Sequence, residues 1–137
     1  MLLHRAGRPA LHVVADDHTD PWRRDVPAVV LQHGYARSHR FFQAWVPHLS
    51  RHYRVIRPDL RGFGDSPRLA DPAREMTVEA LVEDVADIVA LAGEAGPVHY
   101  VGESLSGLVA LLFAARHPGR LRSLTLLSSP LSFPEAT

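Results

Sequence analysis

Short, continuous apolar runs alternate along this chain with longer stretches in which apolar residues return every three or four positions. Ala28–Gln32 (Ala-Val-Val-Leu-Gln), Tyr53–Arg57, Pro97–Val101 and Leu121–Ser128 are of the first kind. Such runs are strands buried on both faces. Ala10–Ala15 (Ala-Leu-His-Val-Val-Ala) is a further short strand. Thr77–Ala92 is the clearest case of the second kind. Val78, Leu81, Val82, Val85, Ile88 and Val89 form one apolar face, set off by Glu79, Glu83, Asp84 and Asp87, and Thr77 stands at the N-cap. Phe41–His52 gathers Phe41, Phe42, Trp45, Val46 and Leu49 on one helical face, interrupted by Pro47. Leu105–His117 is a third helix. Asp16–Pro27 and Leu60–Arg74 carry Gly, Pro, Arg and Asp and read as loops. Buried strands alternating with helices predict an α/β fold: a parallel sheet with helices on both faces.

Composition narrows the chemistry. The 137 residues suffice for one domain with a core. Fifteen basic residues balance fifteen acidic ones, so neither nucleic acid nor an anionic membrane is an expected partner. All the basic residues are arginine, which removes Schiff-base and P-loop lysines. The lack of cysteine removes disulfides, thiol nucleophiles and thiolate metal sites. None of the nine histidines sits in a helical H-x-x-x-H or H-E-x-x-H pair flanked by a carboxylate, so no metal and no cofactor is expected. The N-terminus has no apolar run fit for a signal peptide or a membrane span, and a cytoplasmic location is expected.

The chemistry concentrates at residues 98–112, where a strand, a small-residue turn and an apolar helix follow one another with Ser104 at the apex. This arrangement holds a serine out as a nucleophile above the sheet, over a helix N-terminus. Such a turn strains the serine backbone and needs small neighbours. Gly102 supplies one. The other position of the usual G-x-S-x-G pattern is Ser106, the small residue the turn needs, with Gly107 next. Ligands collect at the carboxyl ends of parallel strands, so His33–Arg40, Asp59–Pro67 and Glu103–Gly107 should border one pocket. Within these loops Glu103 reads as a solvated or hydrogen-bonded elbow residue. His33 braces its loop by hydrogen bonds rather than serving as a base. Arg37, His39 and Arg40 read as exposed, and Asp59, Arg61 and Ser66 as turn and cap residues. Only His117 follows Ser104, at the end of its helix. No histidine should reach the Ser104 hydroxyl.

Three segments carry a resemblance. They are Leu31-Gln32-His33-Gly34-Tyr35, Arg57-Pro58-Asp59-Leu60-Arg61-Gly62-Phe63-Gly64-Asp65-Ser66, and Val101–Leu108. In this order, each after a strand, they resemble the His-Gly segment, the D-x-R-G-x-G-x-S loop and the nucleophile elbow of the α/β-hydrolase superfamily. The similarity runs roughly from Leu11 to Pro130. It implies that Ser104 is the nucleophile and that the backbone N–H groups of Tyr35 and Leu105 form the oxyanion hole, each donor worth roughly 3 kcal/mol in comparable enzymes. Residues 1–137 are then the N-terminal portion of one such domain, an incomplete fold lacking the lid and the last strands. The triad acid and histidine are not encoded in it.

The implied activity is hydrolysis of small-molecule carboxylic esters or lactones through an acyl-enzyme on Ser104. The look is that of bacterial esterases and 3-oxoadipate enol-lactonase-like hydrolases. Competing readings are a truncated, catalytically inactive fragment or interaction module, and a C–C bond hydrolase, thioesterase or perhydrolase of the same fold. Serine at position 104 argues against dehalogenases and epoxide hydrolases, which use aspartate there. Strand Leu121–Ser128, followed by Pro130, Pro134 and a short tail, should leave an unpaired sheet edge open to self-association.

Overall fold

A computed structural model describes residues 1–132; Pro134 lies outside the described residues. Six strands, β1 (Leu2–Arg5), β2 (Arg8–Asp16), β3 (Ala28–Gln32), β4 (Arg54–Pro58), β5 (Val98–Glu103) and β6 (Leu121–Leu127), form one sheet. Their spatial order is β1-β2-β4-β3-β5-β6. The helices are α1 (Val46–Leu49), α2 (Pro72–Glu75), α3 (Val78–Ala92) and α4 (Leu105–Arg116), with 3-10 turns at His39–Trp45 and Gly93–Ala95. Among the described residues no helix is long and apolar enough to cross a membrane.

The sheet is mixed rather than all parallel. Strands β4, β3, β5 and β6 run parallel, as expected, whereas β2 pairs antiparallel with both β4 and β1. The reason for the β1–β2 pair is local. Only Ala6 and Gly7 separate these strands, and Gly7 takes a left-handed φ of 69°. A two-residue turn makes a hairpin, while a parallel connection needs a dozen or more residues.

Side chains alternate between the two faces of the sheet, as the period of two requires. Val30, Ile56, Val98 and Tyr100 pack with Leu81, Val85, Ile88 and Val89 of α3 and Val109, Ala110 and Phe113 of α4. Val29, Leu31, Val55 and Val101 pack on the other face with Phe42 and Val46. The expected helix over Phe41–His52 is instead a 3-10 stretch followed by the single turn α1. Pro47 explains the break. It stands in the first turn of α1, where the amide it lacks would have no helical partner.

Asp84 departs from the expected polar face of α3. It is buried at 3% exposure and binds the Arg61 guanidinium through both oxygens, each at 2.7 Å. It also pairs with Arg5 of β1. Thr77 caps α3 as expected, its hydroxyl accepting from the Ala80 amide at 3.1 Å. The Asp84 network thus fastens the N-terminal hairpin and the loop after β4 to a single helix.

Candidate active site

Ser104 lies between the last residue of β5 and the first of α4, with φ 55° and ψ −125°. A non-glycine residue in this region stores about 1–3 kcal/mol of strain. The turn is held on both sides: the Ser104 amide donates to Leu127 O in β6 at 2.8 Å, and Gly107 donates to Ser104 O at 3.0 Å. Two glycines make the crossing possible. A Cβ on Gly102 would lie 2.6 Å from the backbone of Gly107, and one on Gly107 would meet the Ser129 hydroxyl. The close approach therefore falls on positions 102 and 107, which is why position 106 tolerates a serine. Ser106 is also more than a small residue. Its buried hydroxyl donates to His33 O at 2.6 Å and ties the elbow to the His-Gly loop.

That loop sits directly on the serine. A Cβ on Gly34 would come within 2.9 Å of the Ser104 Cβ. The Gly34 amide donates to Glu103 Oε2 at 2.6 Å, so Glu103 is a buried, hydrogen-bonded elbow residue. The exposed Arg37 reaches the other Glu103 oxygen at 3.4 Å and lies 4.5 Å over the Phe41 ring. Ala36 takes a left-handed φ of 62°, turning the chain just after Tyr35. The Tyr35 amide has no acceptor among the described residues. Leu105 is the first residue of α4, where an amide has no acceptor within its own helix.

His33 has both ring nitrogens committed. Nδ1–H donates to Gly34 O at 2.7 Å, and Nε2 accepts from the Leu60 amide at 3.0 Å. Only the neutral ring satisfies both partners. Burial lowers its pKa from 6.5 against the opposing pull of the Gly34 bond and the Asp59 and Glu103 charges. The ring braces the loop, as the sequence suggests. Among the described residues no histidine hydrogen-bonds to the Ser104 hydroxyl.

The loop after β4 is organised around Asp59, which is fully buried. Its carboxylate accepts from the amides of His39 at 2.6 Å and Asp65 at 3.0 Å, and from Nδ1 of His12 and of His39, each at 2.9 Å. Burial alone would raise the Asp59 pKa; these donors outweigh it and hold it below 3.8. Ser66 completes the knot by donating to Asp59 O and accepting from the His12 amide, both at 2.9 Å. His39 is thus not an exposed loop residue but a buried ligand of Asp59. One nitrogen or oxygen atom of each of His12, His39, Asp59 and Asp65 lies within 4.8 Å of the others, gathered by these hydrogen bonds. No local motif signals this cluster, because its members come from β2, the 3-10 turn and the loop after β4.

An elbow serine in a strained turn thus lies beneath a glycine loop at the carboxyl edge of parallel strands, and a family model for the alpha/beta hydrolase fold matches the chain. That model matches residues 27–137. The chain belongs to the α/β-hydrolase family.

Over 101 residues the chain is 42% identical to the pimeloyl-[acyl-carrier protein] methyl ester esterase of Methylococcus capsulatus, covering 74% of this chain and 36% of that protein. Over 104 residues it is 39% identical to the 2-hydroxy-6-oxo-2,4-heptadienoate hydrolase of Pseudomonas putida, covering 74% and 37%. An α/β hydrolase structure from Novosphingobium aromaticivorans superposes with a TM-score of 0.78 at 28% identity, over 92% of this chain and 42% of that one. The chain spans a little over a third of the length of these curated relatives.

Proposed function

We propose that this chain carries the nucleophile and oxyanion-binding part of a serine hydrolase of small-molecule carboxylic esters or lactones. In this reading the Ser104 oxygen attacks the substrate carbonyl carbon and forms an acyl-enzyme as the bond to the alkoxy oxygen breaks. The serine proton passes through a base to the departing alcohol. Water then adds to the acyl carbon and releases the acid and free Ser104. The Tyr35 and Leu105 amides stabilise the charge on the carbonyl oxygen. The carrying observation is Ser104 at φ 55°, with Gly34 against it and the two amides unclaimed among the described residues. The methyl ester esterase relatives support the ester class.

We assign the base and its orienting carboxylate to residues other than the 137 of this chain, since His33 is committed elsewhere and no other histidine among the described residues hydrogen-bonds to the Ser104 hydroxyl. Imidazole added to solution is therefore the decisive reagent. It is expected to accelerate phosphonylation of Ser104 by a fluorophosphonate, with the modified peptide located by mass. Equal labelling of Ser104→Ala, or acceleration at another residue, would refute the assignment. A second reading, hydrolysis of a C–C bond by the same serine, is favoured by the heptadienoate hydrolase relative. Turnover of a dienoate but not an ester by the imidazole-supplemented protein would select it. We further assign self-association to the outer edge of β6, whose only strand neighbour among the described residues is β5. A concentration-independent monomer in sedimentation would remove that assignment.

A further inference from the structure

Beside the His-Gly loop lies an open groove that the reading above leaves unused. It encloses about 620 Å³ between the His-Gly loop and the segment around residues 62–76. Sites for small molecules usually span about 300–1,000 Å³. Tyr35 stands at one end of the groove's lining and directly follows Gly34, the glycine packed against Ser104. The Tyr35 ring is 64% exposed and meets Phe63 edge-on, with centroids 4.9 Å apart. Leu69 and Met76 continue the apolar wall. Phe63 and Met76 pack in turn against the core beneath α3, which makes that wall part of the fold.

Charge gives the groove a direction. Among the described residues Arg68 is its only charged lining residue, and no carboxylate lines it. Arg68 is exposed and makes no hydrogen bond or ion pair among the described residues. Arg61, on the core side of the same loop, is buried and fully engaged with Asp84. The groove therefore combines an apolar wall that ends beside Gly34 with an exposed guanidinium that no described residue engages.

We propose that this groove holds the acyl part of the substrate, an apolar chain that carries a carboxylate paired with Arg68. The assignment rests on the hydrolase reading for the direction of the chain. The substrate class is then esters of acids bearing a second, anionic carboxyl group, and neutral acyl chains of equal length are the poorer ligands. A guanidinium pairs with a carboxylate through two parallel hydrogen bonds, which also sets the reach of the chain.

The test uses the whole 137-residue protein and a pair of unreactive probes. One is the N-methyl monoamide of nonanedioic acid, and the other is N-methylnonanamide, which lacks the carboxylate. Amide chemical shifts report where and how tightly each binds. The acid is expected to bind about fivefold more tightly than the neutral probe, as for a partly exposed ion pair. Both should move signals of Tyr35, Phe63, Leu69 and Met76. Arg68→Met should erase the difference without weakening the neutral probe, and Arg68→Lys should restore most of it. Arg68 is exposed, so both variants are expected to fold. Equal binding of the two probes, no binding of either, shifts elsewhere, or an unchanged preference in Arg68→Met would overturn the proposal. Both probes should bind Ser104→Ala as they bind the parent. Loss of imidazole-driven labelling with the acid preference intact would sink the hydrolase reading alone. Labelling without that preference would sink the groove alone.

Discussion

The loop after β4 and the elbow after β5 follow parallel strands at the same edge of the sheet and both carry buried polar groups, yet they are built on opposite terms. Around Asp59 the polar atoms are matched: four donors converge on one carboxylate, and Ser66 closes the remaining gaps. At the elbow the backbone is strained, and the Tyr35 amide and the first amide of α4 have no acceptor among the described residues. A buried polar group with all its partners stabilises the fold. A preorganised group without a partner is available to a reacting atom. Polarity alone does not separate scaffold from chemistry; satisfaction of hydrogen bonds does. His33 shows this most clearly, since it lies beside the serine yet has both nitrogens engaged.

Substitution should split the two loops. Asp59→Ala removes a buried acceptor from four donors and is expected to cost about 4 kcal/mol in urea denaturation. A cost near zero would mean that the Asp59 knot is not the scaffold. Glu103→Ala strands the Gly34 amide and should lower stability by about 2 kcal/mol. It should also slow imidazole-driven labelling of Ser104 several-fold by loosening the loop that carries Tyr35. Glu103→Gln keeps an acceptor and should retain most of the rate; equal rates in both variants would remove Glu103 as a positioning residue. Ser104→Gly is expected to act in the opposite sense. Glycine adopts φ 55° without strain, so thermal unfolding should show a gain of about 1 kcal/mol while labelling is lost.

The smallest expected effect is in the pH profile. The folded pKa of His33 is depressed below 6.5, so the unfolded chain binds the proton more readily. Its contribution to stability is complete above pH 6.5 and falls away as pH drops towards the folded value. His33→Gln should flatten that limb of the curve. Asp59, held below 3.8, adds a separate loss at lower pH as it protonates in the folded state. An unchanged curve in His33→Gln would show that this ring titrates freely.

Strands β3 to β6 and helices α3 and α4 were legible within a few residues, because burial on both faces imposes continuous apolar runs and a helix packed on a sheet imposes a 3.6-residue period. The elbow was legible because its demands are local: a strand, small residues and a serine. Strand β1 was not, since Leu2–Arg5 is short and is recruited by pairing with β2. Asp84 and His39 were read as exposed because their polarity argues for solvent. Their partners, Arg5, Arg61 and Asp59, lie far away in sequence or in another loop, and no local spacing announces them.

The sequence by itself determined the family, through three motifs that resemble those of the α/β-hydrolases, and the parallel part of the sheet and the turn at Ser104, which follow from periodicity and residue size along a short stretch. Only the tertiary structure decided which polar residues are spent on the fold. That choice depends on which donors and acceptors meet after collapse, as when the Ser106 hydroxyl finds His33 O or Glu103 finds the Gly34 amide. Burial makes each of these pairings compulsory, because a polar group removed from water must find a partner within the protein.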